Sequence, residues 1–566
     1  MKKLLSVLLA AAMLLSLFGF AAADEGGLSE PGVLPIWTGS EPAVIRVLTP
    51  ENPKVSDFDD NAYTLWIEEG CNVDLQFSFL PATDTLQKLT TMIAGGSIED
   101  EKIDVINYSG ISVASAKAWG DEGVILDVSD YYANGLAVNA DAAVAAHPDM
   151  NLITNITTAE GAVYSVPKIQ VSPSNETRFK MWINEQWLTN LGLEVPTTID
   201  EFYNMLVAFK EQDANGNGDP NDEIPFITST GFGGTAYKFL TNAFVFESVD
   251  DDMFLLKDGH VTTSYLQDEW LEAQTFLKKL CDEGLLAKES FTYNNDDLKA
   301  VACSDDDIVG VVTNSSCAFM GQANDPYRLR YICLNPLTGP EGVCFASYAA
   351  SATSNCWMVT SYAENPELCF RVGDFQFTED GFLRGRFGVE NENWMTKENY
   401  MAEHPEVTLE ARYGAMGFEG KYVFYNDIRD QTVNNLYWYE HMPYFAGDVE
   451  SNGMYVADDG NGTVINLENN ATCRQETGSG YYQLVKPGVD TYVPTLAFTE
   501  DELEVLAECQ ANIRTYVKEQ RTKYIIGDAS DLADKDTFVQ NLKDTFNLDE
   551  FLEICDRAYQ RQYAGN

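Results

Sequence analysis

Basic residues are scarce in this chain: 36 Lys and Arg stand against 88 Asp and Glu, a formal net charge of −52, and there are only 4 His. Nucleic acid and anionic membrane both need a basic footprint on the protein that binds them, so the charge excludes both as partners. No CxxC pair occurs, and Cys/His spacing suited to zinc is absent, which removes the usual structural zinc sites. The 11 cysteines are an odd number, so at least one is unpaired. A disulfide framework is the expectation for an oxidising compartment, yet Cys333, Cys356 and Cys369 sit inside apolar patterns and read as small buried residues. Catalytic signatures are missing as well. There is no GxSxG elbow, no phosphate loop, no HExxH and no GxGxxG, and the glycines at 231, 233 and 234 read as a flexible turn. With 88 carboxylates some pair must lie close, so paired acids say nothing for or against a glycosidase.

Long apolar runs are confined to one place. Met1-Lys2-Lys3 leads into the run Leu4 to Phe20 and then Ala21-Ala22-Ala23, the pattern of a secretory signal peptide cleaved after Ala23. A transmembrane helix needs a longer stretch, about 20 residues. Residues 24–42 form a flexible leader containing Gly and Pro. The chain is 45% hydrophobic and 12% aromatic, enough for large cores. Its length beyond the leader far exceeds a usual domain of about 100–200 residues. Two or more domains are expected.

After the leader, strand and helix patterns alternate. Ala43 to Leu48 reads as a buried strand. A helix from about Asp60 ends at Gly70, Val73 to Phe79 alternates with period two, a helix from about Thr83 stops at Gly95-Gly96, and Ile103 to Asn107 is the next strand. This alternation implies parallel strand–helix–strand units and an α/β fold. Ligands then sit beyond the carboxyl ends of strands, so the loops after Leu48 and after Asn107, the latter opening with Tyr108, are candidate cleft segments. Thr198 and Glu201 are placed for a capping box, and Phe202, Met205, Leu206 and Phe209 give the helix one apolar face. Thr499 and Glu502 repeat the box before a long helix, and Leu548 to Tyr559 adds another, so the C-terminal part is largely helical.

The most specific local motif is Asp213-Ala214-Asn215-Gly216-Asn217-Gly218-Asp219-Pro220-Asn221-Asp222-Glu223. Oxygen-bearing residues at alternate positions around a Gly reproduce the first half of a calcium loop. Asp213, Asn215 and Asn217 would offer side-chain oxygens and Asp219 its carbonyl. The twelfth position, which wants a bidentate Glu, is Ile224, and the closing acids Asp222 and Glu223 come early. The motif therefore reads as a structural calcium clip at 213–223 without the second helix of an EF-hand. For a carbohydrate ligand, whose CH faces stack on aromatic rings, the candidates are Trp394 and Trp438 first, then Tyr237, with Tyr108 and Trp357 beside them. Trp182 and Trp187 read as packing residues.

The block Trp182-Ile183-Asn184 through Trp187-Leu188, Leu191-Gly192-Leu193, Val195-Pro196-Thr197-Thr198 and Glu201-Phe202 resembles the extracellular solute-binding proteins of bacterial sugar ABC importers. The acidic loop ending Asp222-Glu223-Ile224-Pro225 resembles the larger subgroup with a calcium site, which includes alginate-oligosaccharide-binding proteins and Gram-positive sugar-binding lipoproteins. Pro336-Leu337-Thr338-Gly339-Pro340, Asn365-Pro366-Glu367 with Asp374-Phe375, and Tyr559-Gln560-Arg561 extend the likeness along the chain. The resemblance implies a two-lobe, hinged fold of the periplasmic-binding-protein type II kind. Lobe 1 would span 43–170 plus about 336–390, lobe 2 would span 171–335 plus about 391–566, and crossings would lie near Lys168–Pro173 and Leu334–Gly339. It implies a monomer that captures a carbohydrate, an oligosaccharide in particular, for importer permease subunits, with no catalysis. The alternatives are a secreted glycan-degrading enzyme and a peptide-binding importer subunit. Gram-positive members carry a lipid-anchored Cys directly after the signal, whereas here the first cysteine is Cys71. Arg384, Arg386 and Arg412 are the candidates for meeting an acidic sugar.

Overall fold

The computed structural model describes residues 26–563 apart from 172–175, 232–233, 321–325, 349–352, 415–416, 426–427, 429–432, 439–440, 448, 450–451 and 459–486. In chain order its strands are β1 (Ala43–Pro50), β2 (Val73–Leu80), β3 (Val105–Ile111), β4 (Val166–Ile169), β5 (Lys180–Asn184), β6 (Ile224–Phe226), β7 (Phe254–Lys257), β8 (His260–Thr263), β9 (Val309–Asn314), β10 (Tyr331–Leu334), β11 (Thr353–Val359), β12 (Trp394–Thr396), β13 (Thr408–Ala411), β14 (Tyr422–Phe424), β15 (Tyr444–Phe445) and β16 (Gly453–Asp458).

The first sheet runs β15-β4-β11-β3-β1-β2. β1 pairs in parallel with both β2 and β3, as helical crossovers between successive strands require. β11 returns from far along the chain and inserts antiparallel between β3 and β4. The helix Ala62–Cys71 covers this sheet and ends at Asn72 in the left-handed region, not at Gly70. Gly70 lies inside the helix because a Cβ there would come within 2.8 Å of the Phe375 ring. Close packing, not termination, is what the glycine serves.

The second sheet runs β10-β5-β9-β6. Its core gathers Trp182, Trp187, Phe202, Phe209 and Phe226, so the two tryptophans pack as their context suggests. Thr198 caps the helix Ile199–Glu211 by accepting from the Glu201 amide. The Glu201 carboxylate turns back to the Thr197 amide and hydroxyl rather than to Thr198, so the box is completed one residue early. The 27-residue helix Glu500–Ile526 has the full capping box of Thr499 and Glu502. With Lys535–Phe546 and Leu548–Gln562 it forms a helical layer packed on the β7–β8 hairpin. The helix Asp268–Asp282 contributes to both this layer and the second core, fusing the two.

Two stretches sit elsewhere than the linear division of the sequence suggests. Residues 336–346 belong with the second lobe: Leu337 and Ala346 join its core, Thr338 bridges Thr198, and Gly339 lies directly against the Ala243 backbone. The passage back to the first lobe therefore falls between Tyr348 and Thr353. Conversely, Trp394, Tyr422, Phe424, Trp438, Met442, Tyr444 and Val449 join the first core, anchored by β15 pairing with β4. The small sheet β12-β14-β16-β13 rests there, while Tyr413 reaches across to the second core. Nine described cysteines are free thiols, seven of them buried. Among the described residues no helix is long and apolar enough to cross a membrane.

Candidate ligand-binding cleft and cation loop

In the first sheet the carboxyl ends of the parallel strands β1, β2 and β3 lie at one end, where β11 begins and β4 finishes. Both connections to the second lobe leave from that end, after Ile169 and before Thr353. A cavity of about 430 Å³ opens there. One wall is Gly110–Ala114, the end of β3 and the start of the helix Val113–Asp121, together with Asn155, Thr158 and Thr353–Asn355; the other is Thr495–Phe498 and Leu503, at the start of the C-terminal helical layer. It is thus shared between the lobes. Asn355, buried in its floor, is fixed by accepting from Ser165 and donating to the Ile111 carbonyl.

Beside it, Tyr108 is half-buried with its ring 5.4 Å from that of His441. The Asn107 amide donates to the His441 carbonyl at 2.7 Å, and Ser109 Oγ lies 3.3 Å from His441 Nδ1. These contacts bind the 441 segment over the carboxyl end of β3, the loop that strand order marks as a cleft segment.

On the second lobe a cavity of about 240 Å³ lies past the carboxyl end of β6. Thr228, Ser229, Thr230, Tyr237, Asp251 and Lys518 face it. Tyr237 is held from behind. The Arg521 guanidinium stacks 3.8 Å from its ring centroid, and Arg521 is itself buried and paired with Glu247 at 3.0 Å. Burial pushes the Tyr237 phenol up, with the Arg521 charge pulling the other way. Lys238, next in sequence, is 3% exposed and donates to the carbonyls of Ser248, Val249 and Asp250. Burial pushes its ammonium down despite the nearby Glu247. The wall that presents Tyr237 is therefore rigid.

The three tryptophans expected at the ligand lie instead in the first core. Trp357 donates to the Cys369 carbonyl, Trp394 to the Gly388 carbonyl and Trp438 to Thr64, and each is no more than 3% exposed. A ring covered on both faces offers no platform for a sugar. Trp394 stands in a polar stretch, but Tyr422 packs edge-on against it at 5.9 Å, a contact from distant sequence. Trp438 backs a surface that hydrophobic periodicity does not reveal. Phe58 and Phe77 pack on it at 6.2 and 5.6 Å, and Phe79, 47% exposed, packs on Phe58. Arg384 is bound to Asp380 by both carboxylate oxygens, and Arg412 lies over Tyr413; neither lines either cavity.

The acidic loop folds on itself between the helix Ile199–Glu211 and β6. Gly216 and Gly218 have φ of +76° and +95°, a backbone that Gly adopts without strain. Asp213 Oδ2 accepts from the Gly218 amide, Asn215 Oδ1 from Asn217, Asn217 Oδ1 from Asp219, and Asp219 Oδ1 from Asn221. Asp222 takes the side-chain amides of Asn215 and Asn217, and Glu223 Oε1 takes the Ala214 amide. Two carboxylate oxygens, Asp213 Oδ1 and Glu223 Oε2, are buried without any hydrogen-bond partner. Burial pushes the Glu223 carboxyl up. Orphaned buried acceptors are costly, and a hard cation with oxygen ligands satisfies them. Among the described residues no three His, Cys, Asp or Glu side chains form a metal cluster, so this donor set depends on Asn side chains and carbonyls. It fits calcium better than zinc.

Residues 52–324 match the model of the bacterial extracellular solute-binding protein family. A fructooligosaccharide ABC transporter substrate-binding protein, FusA of Streptococcus pneumoniae, is 25% identical over 95% of this chain and 92% of its own. A solved HMO-binding, ABC-transporter-associated solute-binding protein of Bifidobacterium longum infantis superposes with a TM-score of 0.70 at 21% identity, covering 92% of this chain and 99% of that one. The alginate-binding protein AlgQ2 superposes at 0.59 and 19%, covering 92% and 98%. The architecture is thus the two-lobe, periplasmic-binding-protein-like α/β fold. Sequence likeness along the chain and the same fold in its neighbours make this protein similar to the bacterial extracellular solute-binding proteins, whose family model matches residues 52–324.

Proposed function

We propose that the protein is the substrate-binding component of an ABC importer, which closes its lobes around an oligosaccharide and hands it to membrane permease subunits. The observation that carries this reading is the cavity at the carboxyl ends of the first sheet's strands, walled by both lobes and placed where the interlobe connections leave. Ligand held there touches both lobes only when they are close, so binding energy and closure are coupled. Tyr237 on its rigid Arg521 support and Tyr108 beside His441 are the stacking groups we assign. The FusA relative, a fructooligosaccharide-binding protein, supports a carbohydrate ligand. The chain acts as a carrier rather than an enzyme and works as a monomer. Export by residues 1–23 would put it outside the cell. Calcium would be held by Asp213, Asn215, Asn217, Asp219, Asp222 and Glu223, stiffening the lobe that carries Tyr237.

Titration calorimetry and thermal shift over neutral oligosaccharides, uronate oligosaccharides and peptides test this directly. Micromolar or tighter binding of an oligosaccharide, with no release of shorter sugars on long incubation, is the expected result. Hydrolysis would replace carriage with catalysis, and stabilisation by peptides alone would replace the sugar with a peptide.

A further inference from the structure

At the carboxyl ends of β1 and β2 the loop Glu51–Asp59 encloses a cavity of about 480 Å³ that shares no lining residue with the two cavities of the cleft. Its floor is aromatic. Phe58, Phe77 and Phe79 pack with ring centroids 5.2–6.3 Å apart, and Trp438 closes the cluster from below, edge-on to Phe77. Water covers nearly half of the Phe79 surface, which is 47% exposed. Val73 and Leu75, on the same face of β2 as Phe79, are buried, so leaving Phe79 in water costs solvation free energy, and its neighbours hold it in place rather than covering it. The rim is acidic: Glu51, Asp57 and Asp59 line the cavity, and no Lys or Arg does so among the described residues. The Asp59 amide occupies one Asp57 oxygen, and the Asn52 amide ties the loop to the Trp438 carbonyl, so the rim is held in shape.

We infer that this cavity is a second saccharide subsite on the first lobe, stacking the CH face of one sugar unit on Phe79 and Phe58 while Glu51, Asp57 and Asp59 accept from its hydroxyl or ammonium groups. The inference rests on the carbohydrate function proposed for the protein and narrows it. Lys54 belongs to the same loop but does not line the cavity, so the three carboxylates that do line it repel a carboxylated sugar at contact distance, and the site takes neutral or aminated units in preference to uronates. It lies at the same sheet end as the interlobe cavity.

Phe79 is exposed enough that Phe79→Ala leaves the fold intact, which far-ultraviolet circular dichroism and the melting temperature check. The probes are cellotetraose, nystose, chitosan tetramer and tetragalacturonate, each by titration calorimetry with wild type, Phe79→Ala and the double variant Asp57→Asn/Asp59→Asn. For any neutral or aminated probe that wild type binds, Phe79→Ala is expected to weaken binding about tenfold, the worth of one aromatic stacking contact. The double variant is expected to lose chitosan tetramer binding more than nystose binding. Equal affinity of wild type and Phe79→Ala for every bound probe overturns the subsite while leaving carbohydrate carriage standing. Preferential binding of tetragalacturonate by wild type overturns the charge selection. Failure of wild type to bind any saccharide removes both this inference and the reading it rests on.

Discussion

Asp374 is set between opposing forces. It is 3% exposed, and its carboxylate accepts from the Asn139 amide and side chain at 3.0 Å and from the Ala140 amide at 2.9 Å, clasping the helix Val138–Ala146 to the helix Pro366–Phe375. Burial wins over these bonds and raises the carboxyl to about 6. A group raised above its unfolded value favours folding when protonated, so its contribution is complete below about pH 4 and lost as pH climbs through 6. Urea unfolding at pH 4, 5, 6 and 7 is expected to show wild type losing on the order of 2–3 kcal/mol relative to Asp374→Asn across that window; parallel curves would rule the site out as the titrating group. Glu502 runs the other way. Burial raises it, but Arg561, the Thr499 amide and Arg557 outweigh that and bring it to about 2. Its contribution is present above about pH 4.5 and disappears as pH falls toward 2, so Glu502→Gln flattens the acid limb of the same profile. At Gly70 the decision is steric. Alanine in a helix interior gains about 0.5–1 kcal/mol over glycine, but overpacking against the Phe375 ring costs about 1–3 kcal/mol, and Gly70→Ala is expected to lower the urea midpoint.

At the scale of elements, local chemistry is legible wherever it decides structure locally. The Thr499–Glu502 box and the self-bonded turn at 213–223 follow from spacing because neighbours in sequence stabilise them, and β1 and β2 are legible from their apolar patterns although their pairing partners lie elsewhere in the chain. The Phe79 surface is hidden from spacing for the converse reason. Val73, Leu75, Phe77 and Phe79 share one parity and read as a single buried face, yet burial on that face fades from Val73 and Leu75 to Phe79 while Leu80 on the other face stays buried, which no periodicity reports. The useful signal lies nearby: Phe58 stands alone among acids in Ser56-Asp57-Phe58-Asp59-Asp60, an odd place for a core residue. The acidic loop carries its own prediction. Its unsatisfied Asp213 and Glu223 oxygens are stabilised by a bound cation and exposed as a liability without one. Occupancy at a hundred times the dissociation constant is worth about 2.7 kcal/mol, so chelation is expected to lower the melting temperature by roughly 5 °C. Calcium should restore it where magnesium does not, and Asp213→Ala should abolish the response. A melting temperature indifferent to chelator in wild type would remove calcium from the loop.

For the whole molecule, the lobe division shows why long-range order escapes a linear reading. The segment carrying Trp394 and Trp438 joins the first core because β15 pairs with β4 and because Trp438 fits over Thr64 and Tyr63, contacts that bridge hundreds of residues. The consequence is mechanical. The chain leaves the first lobe after Ile169, returns before Thr353, and reaches the C-terminal helices again by way of Tyr492, which packs on Phe246, Leu255 and Tyr348 of the second lobe. Two lobes, each with a core of its own and with one cavity between them, are the arrangement that hinge closure requires. Each lobe keeps its own core, so closure moves rigid bodies and leaves secondary structure unchanged. The net charge of −52 opposes approach of the lobes, and salt screens that repulsion beyond about 8 Å at physiological ionic strength. Small-angle scattering with and without a bound oligosaccharide is therefore expected to show a smaller radius of gyration in the complex, with circular dichroism unaltered. The unliganded form should contract toward that value as salt rises. A radius independent of both ligand and salt would mean the lobes are fixed, and binding would have to occur without closure.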